Sequence, residues 1–216
     1  MTNDIPKAKF LVVMDVDSTL IEQEVIEVLA SFAGKDKEVA EVTERAMRGE
    51  LDFAGSLRAR VETLKGLPAD VIQKTLEQIS VTKGAEQLIN RVHACGGKVG
   101  AVSGGFIQLL EPLARKLNLD FYLANELEVV SETLTGDVTG PIIDKPAKAT
   151  ALLDWAAQLE VPIKRTIAIG DGANDLDMME VAGLSIGFNA KPRVRAKADI
   201  LIDSGDLADA IALLGI

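Results

Sequence analysis

KFLVVMDVDSTL, residues 9–20, is the stretch that decides the fold, because a short apolar run ends there in two aspartates. Such a run, bounded by polar residues, is typical of a buried strand. Four more apolar runs follow, at VGAVS (99–103), RTIAIG (165–170), LSIGF (184–188) and ADILI (198–202). Helical patterns separate them, at roughly 84–94, 106–117, 148–159 and 175–182. Strands that alternate with helices predict an α/β fold with a doubly wound, Rossmann-like parallel sheet.

Two stretches break this alternation. Residues from about 22 to 78 show helical periodicity with almost no strand signal. They predict a four-helix insertion, which divides the chain into a core domain at 1–21 and 80–216 and a helical cap domain at 22–79. The stretch LEVVSETLTGDVTG, residues 127–140, is rich in threonine, valine and glycine and predicts a β-hairpin.

Composition and charge narrow the function classes. The chain has 216 residues, of which 48% are hydrophobic and 26% charged, a profile typical of a globular protein. Its net charge of −10 argues against nucleic acid or an anionic membrane as the main partner. No apolar run is long enough to cross a bilayer, and MTNDIPKAKF lacks the layout of a secretory signal. A single cysteine, Cys95, suits a reducing compartment. We therefore expect a cytoplasmic protein, with no regulatory domain before the first strand.

Polar residues follow three of the predicted strands at the point where each strand ends. They are Asp15 and Asp17; Ser103, Gly104 and Gly105; and Asp171, Asn174 and Asp175. Ligands of open parallel sheets bind outside the carboxyl ends of the strands, so these groups are expected at one edge. Residues two apart in an extended segment point the same way, which pairs the first two carboxylates. Paired carboxylates repel unless a cation lies between them, and oxygen ligands suit Mg²⁺.

Two other phosphatase chemistries are excluded by residue type. A cysteine nucleophile needs an arginine six residues later, and position 101 is Ala101. His93 is the single histidine, which rules out a site built on two histidines.

The motifs DVDSTL (15–20), VSGGF (102–106), Lys148 and GDGANDLDM (170–178) resemble, in the correct order, those of the haloacid dehalogenase (HAD) superfamily of phosphotransferases. The resemblance implies a HAD core with a cap inserted after the first motif. It implies that Asp15 attacks phosphorus and forms an aspartyl-phosphate. It also implies that Asp17 protonates the leaving oxygen and later deprotonates the attacking water.

The same resemblance assigns the metal and phosphate contacts. The expected ligands of Mg²⁺ are the Asp15 and Asp171 carboxylates and the backbone carbonyl of Asp17, with Asp175 orienting a metal-bound water. The expected phosphate contacts are Ser103, Gly104, Lys148 and Asn174, although Asn174 could instead hold its loop. The other lysines near these motifs, Lys145, Lys164 and Lys191, are expected on the surface.

Within the superfamily, two stretches are similar to those of phosphoserine phosphatases. They are DVDSTLIEQEVIEVLA (15–30) and LDFAGSLRARVETLKGLP (51–68). This similarity implies that Glu24 binds the substrate ammonium, that Arg60 binds the carboxylate with two parallel hydrogen bonds, and that Phe53 excludes water. Arg58 is the competitor of Arg60, and Glu22 and Glu27 are those of Glu24. The implied reaction is hydrolysis of O-phospho-L-serine, the last step of serine biosynthesis.

Three rival functions stay open at this point. One is another phosphatase, or a transferase, of the same superfamily. A dehalogenase is disfavoured because Asp17 suits a phosphoryl leaving group. A phospho-accepting signalling domain would share the acidic cluster but would not need a cap of about 57 residues, the length of segment 22–78. The sequence also leaves open the oligomeric state and the choice between L and D substrate. A cap that opens to admit substrate would have its hinges near 21–22 and 80–83.

Overall fold

The computed structural model describes residues 8–47 and 50–216. Its seven-stranded sheet has the order β4-β3-β2-β1-β5-β6-β7. The strands are β1 (Leu11–Met14), β2 (Lys98–Phe106), β3 (Phe121–Val130), β4 (Thr133–Thr139), β5 (Thr166–Gly170), β6 (Leu184–Phe188) and β7 (Ile200–Ile202). All neighbours pair in parallel except β3 and β4, which are antiparallel. The predicted α/β class and parallel sheet are confirmed.

Ten α-helices are assigned in the described residues, and they flank the sheet or form the insertion. They are α1 (Val25–Ala33), α2 (Asp36–Met47), α3 (Phe53–Glu62), α4 (Asp70–Leu76), α5 (Ala85–Ala94), α6 (Ile107–Leu117), α7 (Lys145–Gln158), α8 (Leu176–Val181), α9 (Pro192–Arg195) and α10 (Asp209–Leu214).

Strand β1 is central, and all four of its residues are fully buried. Val12 and Met14 contribute to one apolar cluster, whereas Leu11 and Val13 contribute to the cluster on the opposite face. This division follows from the alternation of side chains along a strand. Because both faces are covered, the strand is a continuous apolar run, as is usual in parallel sheets.

The hairpin differs in extent from its prediction. Strand β3 begins at Phe121, six residues before the predicted hairpin, and its first half pairs in parallel with β2. Only the second half of β3 pairs with β4. The hairpin is therefore an extension of the main sheet, and the strand at 121–125 was missed.

Helices α1 to α4 form the insertion between β1 and β2, and it is held to the rest of the chain at two ends. At one end, the chain segments that lead into and out of the insertion pair through two backbone hydrogen bonds. Glu22 N–H donates to Ser80 O and Thr82 N–H donates to Leu20 O, both at 3.0 Å.

At the other end of the insertion, segment 66–69 pairs with the hairpin. Gly66 N–H donates to Leu134 O, Leu134 N–H to Leu67 O, and Ala69 N–H to Glu132 O, each at 2.9 Å. The domain boundaries at residues 22 and 79, and the hinges, stay predictions.

Candidate active site

Asp15 lies directly after β1 at the carboxyl edge of the sheet, where it is 2% exposed. Its backbone N–H donates to Ile169 O of β5 at 2.9 Å. Lys148, in the first turn of α7, is 1% exposed, and its ammonium donates to Asp15 Oδ1 and, at 2.8 Å, to Asp175 Oδ1. The three charged groups therefore form one buried cluster behind the sheet edge.

Burial and the neighbouring Asp175 raise the pKa of Asp15, while the Lys148 ammonium acts in the opposite direction. Burial by itself would lower the pKa of Lys148, but the two carboxylates outweigh it and hold that pKa above its ordinary value. Lys148 therefore keeps its positive charge at neutral pH. A buried lysine with this charge offsets the repulsion between two carboxylates and any anion that approaches them.

Asp17 belongs to an irregular turn at Val16–Leu20 that follows the strand. Its Oδ2 accepts a hydrogen bond from the backbone N–H of Val25 at 3.3 Å. Its Oδ1 is buried and has no hydrogen-bond partner within residues 8–47 and 50–216. Burial, followed by the charge of Glu24, raises the pKa of Asp17 to about 7. A carboxyl group with this pKa can both give and accept a proton near neutrality.

A divalent cation fits between the carboxylates at this edge. Asp15, Asp171 and Asp175 are all buried, and each offers an oxygen within 4.8 Å of the others. An all-oxygen donor set is the one that Mg²⁺ and similar hard cations prefer. The structure therefore supports a metal-binding cluster. The carbonyl of Asp17 as a ligand, and Asp175 as a residue that orients water, stay predictions.

The predicted phosphate loop occupies the irregular end of β2, directly before α6. Ser103 is 2% exposed, and its Oγ accepts a hydrogen bond from Gly105 N–H at 2.8 Å. A Cβ atom added to Gly104 would lie 3.0 Å from Cζ of Phe53. The missing side chain thus lets the Phe53 ring of α3 lie directly on this loop. The predicted apolar wall and the predicted phosphate loop are in contact.

These groups surround one cavity of about 710 Å³ between the insertion and the sheet edge. Nine of the eleven predicted site residues line it, namely Asp15, Asp17, Glu24, Phe53, Arg60, Ser103, Gly104, Asp171 and Asn174. The other two, Lys148 and Asp175, contact each other just behind it. The structure thus brings the whole predicted set together, whereas the role of each residue stays a prediction.

The alternatives to Arg60 and Glu24 as substrate-binding residues lie outside the cavity. Arg60 is partly buried and lines the cavity, whereas Arg58 is exposed. Burial lowers the pKa of Arg60, and the negative charge of Glu24 opposes that change. Glu22 and Glu27 are exposed, and neither lines the cavity. The location of the side chains therefore favours Arg60 and Glu24 over the alternatives.

Lys191 is exposed, as expected, but it also contacts the site, and the sequence reasoning missed that contact. It precedes α9 and lines the cavity, where its ammonium lies 2.9 Å from Asp171 Oδ2 and 3.9 Å from Glu24 Oε1. Its backbone N–H also donates to Asp171 O at 2.8 Å. Burial raises the pKa of Asp171, and the Lys191 ammonium opposes that increase. The available sequence signal was the strand LSIGF, which ends shortly before Lys191 at this edge.

Comparison with known proteins agrees with this geometry. A family model of haloacid dehalogenase-like hydrolases matches residues 12–180, which include every predicted catalytic residue. The chain belongs to this family. Within the haloacid dehalogenase-like hydrolases it is similar to phosphoserine phosphatases, so both resemblances seen in the sequence are confirmed.

Three of these relatives can be compared in detail. Phosphoserine phosphatase SerB2 of Mycobacterium tuberculosis is 53% identical over 210 residues, which make up 97% of this chain and 51% of that protein. The phosphoserine phosphatase of Streptococcus thermophilus is 50% identical over 208 residues, 96% of this chain and 97% of its own. A solved phospho-aspartyl intermediate analogue of phosphoserine phosphatase has a TM-score of 0.90 at 42% identity, covering 96% of this chain and 99% of its own.

Relative length differs among the haloacid dehalogenase-like relatives. The chain spans about half the length of the Mycobacterium tuberculosis protein but nearly all of the Streptococcus thermophilus one. None of the helices in the described part of this chain has the length and apolar character that a membrane span requires.

Proposed function

We propose that the protein hydrolyses O-phospho-L-serine to L-serine and phosphate through an aspartyl-phosphate on Asp15. The observation that carries the proposal is the cavity itself, whose sheet side holds Asp15 and Asp17 and whose insertion side holds Glu24 and Arg60. Phosphoserine has a phosphate at one end and an ammonium and a carboxylate at the other. On the insertion side, the negative charge of Glu24 complements the ammonium and the positive charge of Arg60 complements the carboxylate.

In the first step an oxygen of Asp15 attacks phosphorus and the bond from phosphorus to the serine oxygen breaks. Asp17 gives its proton to that oxygen, which a pKa of about 7 permits at neutral pH. In the second step a water attacks phosphorus, Asp17 takes its proton, and the bond to Asp15 breaks. Both aspartates return to their starting states, so the proton balance closes over one turnover.

The remaining residues hold the substrate. Lys148 keeps a positive charge behind Asp15, and Ser103 and Gly104 offer hydrogen-bond donors to the phosphoryl oxygens. Asn174 lines the same end of the cavity. Mg²⁺, held by Asp15 and Asp171, would offset the negative charge of the phosphoryl group when bound. The proposal includes a place in serine biosynthesis and a cytoplasmic location, with which the single cysteine agrees.

The test is phosphate release from O-phospho-L-serine, O-phosphoethanolamine and phenyl phosphate, each with Mg²⁺ and with excess chelator. We expect phosphoserine to be preferred by orders of magnitude and chelator to stop release from all three. Similar slow rates on all three substrates would refute phosphoserine as the substrate while leaving a phosphatase. Undiminished phosphate release in excess chelator would refute the requirement for a metal ion.

Glu24→Ala and Arg60→Ala are expected to lower kcat/KM for phosphoserine by roughly 30-fold to several thousand-fold, because each leaves a desolvated substrate charge unpaired. The two variants should differ on phosphoethanolamine, which has the ammonium but no carboxylate. Glu24→Ala should impair its hydrolysis, and Arg60→Ala should not. Phenyl phosphate should be affected much less by either change.

Matched controls for these variants are Glu27→Ala and Arg58→Ala, whose exposed side chains lie outside the cavity. We expect both controls to keep the wild-type preference. Equal losses on phosphoserine and phenyl phosphate in Glu24→Ala or Arg60→Ala would contradict the specificity roles.

A further inference from the structure

Ser18 occupies a backbone conformation that L-residues rarely adopt. Its φ is 59° and its ψ is 10°, within the left-handed region, one position after Asp17. Glycine would adopt this conformation without strain. The turn geometry alone therefore does not account for a serine here, and the hydroxyl is the group that distinguishes it from glycine.

The hydroxyl of Ser18 donates to Glu24 Oε1 at 2.9 Å. Its backbone N–H donates to Gln23 O at 3.3 Å, which folds the chain back so that residues 18 and 24 meet. Ser18 thus connects the turn that carries Asp17 to the residue that directly precedes α1. Hydrogen bonds to an ionised carboxylate are stronger than those between neutral groups.

Only one oxygen of Glu24 is used in this way. Oε1 accepts from Ser18 and is the atom nearest to the Lys191 ammonium, at 3.9 Å. No other hydrogen bond to the Glu24 carboxylate is found among the described residues, and the side chain is 38% exposed on the cavity. The second oxygen is therefore free to accept from a ligand, in an orientation that the Ser18 contact fixes.

A second contact supports the same connection. The backbone N–H of Val25, the first residue of α1, donates to Asp17 Oδ2 at 3.3 Å. Two consecutive residues of the catalytic turn thus bind two consecutive residues of the insertion, Asp17 to Val25 and Ser18 to Glu24. The position of the ammonium-binding carboxylate is thereby set from the catalytic turn.

We propose that Ser18 is a positioning residue that orients Glu24 toward the substrate ammonium and so sets the preference for phosphate esters that carry an amino group. This inference rests on the proposed function, in which Glu24 binds that ammonium. Ser18 itself does not contact the reacting atoms. Its effect should therefore appear in substrate preference and not in the chemistry common to all phosphate esters.

The test compares kcat/KM of Ser18→Ala and Ser18→Gly on phosphoserine, phosphoethanolamine and phenyl phosphate. Loss of one hydrogen bond to a charged group is expected to lower kcat/KM on the two amino substrates by about 10-fold, with phenyl phosphate within about 2-fold of wild type. Because Ser18→Gly keeps an unstrained turn, the same loss in both variants would assign the effect to the hydroxyl. Ser31→Ala is the matched control, since its exposed hydroxyl bonds to Val28 O in α1.

A double-mutant cycle completes the test. In a Glu24→Ala background, adding Ser18→Ala should change kcat/KM for phosphoserine by less than about 2-fold, because the partner of the hydroxyl is gone. Equal losses on all three substrates, wild-type preference in Ser18→Gly, or independent effects of the two changes would each overturn the proposal. If wild-type protein has no preference for phosphoserine, the proposed function fails. If only Glu24→Ala alters the preference, the Ser18 inference alone fails.

Discussion

Asp15→Asn is expected to lower kcat for phosphoserine by at least about 10⁴-fold, because an amide cannot form the covalent phosphoryl intermediate. The introduced amide is nearly the same size as the carboxylate that it replaces. Since Asp15 is only 2% exposed, a change that conserves side-chain volume should leave the surrounding packing in place. The measurement is single-turnover and steady-state phosphate release with Mg²⁺.

Folding and covalent labelling provide the controls for this variant. The circular dichroism spectrum should match that of the wild type. Acid-quenched wild-type protein should carry phosphate on Asp15, and the variant should carry none. Residual activity above about one hundredth of wild type, a far smaller loss than removal of a covalent nucleophile causes, would contradict Asp15 as the nucleophile.

Asp17→Asn is expected to lower kcat/KM for phosphoserine by about 10²- to 10⁴-fold, the usual contribution of a general acid and base. The serine alkoxide is a poor leaving group and needs a proton, whereas a nitrophenolate leaves without one. With 4-nitrophenyl phosphate the variant should therefore complete the first step and stall at the second. A burst of about one nitrophenolate per protein, followed by slow release, is the expected result for a covalent intermediate that accumulates.

The outcome that would contradict this role is a similar loss on both substrates with no burst. That result would place Asp17 in substrate binding and not in proton transfer.

The raised pKa of Asp17 also predicts how the stability of the metal-free protein depends on pH. Its folded-state pKa is about 7, against an ordinary value of 3.8, so the folded state binds more protons than the unfolded state between these values. The stabilisation is fully present below pH 3.8 and is lost as pH rises through 7. In chelator the melting temperature of the wild type should therefore fall between pH 5 and about pH 7.5, and Asp17→Asn should show a shallower fall. Identical slopes would contradict the raised pKa.

The local pattern of apolar and polar residues was sufficient to predict most of the fold. The run Leu11–Met14 is apolar throughout because both sheet faces are covered, and its position before Asp15 identifies the carboxyl edge. Strand Phe121–Val130 was predicted only in its second half, because its first half mixes partly buried apolar residues with Asn125 and shows no clear alternation. Its place in the sheet depends on pairing with β2, a contact that the local sequence does not encode.

The candidate site, like the fold, was predicted from the sequence only in part. Its aspartates and glycines belong to motifs of fixed spacing, so their proximity could be predicted from the sequence alone. Lys191 and Ser18 were not found in this way. The contact of Lys191 with Asp171 depends on how the loop after β6 returns over the sheet edge. The role of Ser18 depends on a positive φ angle and on one hydroxyl contact, and neither can be read from residue order.

The pairing of segment 66–69 with the hairpin has a mechanical consequence. An insertion that contacts the core at one end only can rotate about that end. This insertion makes backbone hydrogen bonds to the rest of the chain at both of its ends. The insertion as a whole can move away from the sheet only if the three backbone hydrogen bonds to Glu132 and Leu134 separate or if the hairpin tilts together with it. In either case a movement of the insertion involves strands β3 and β4, although neither strand lines the cavity.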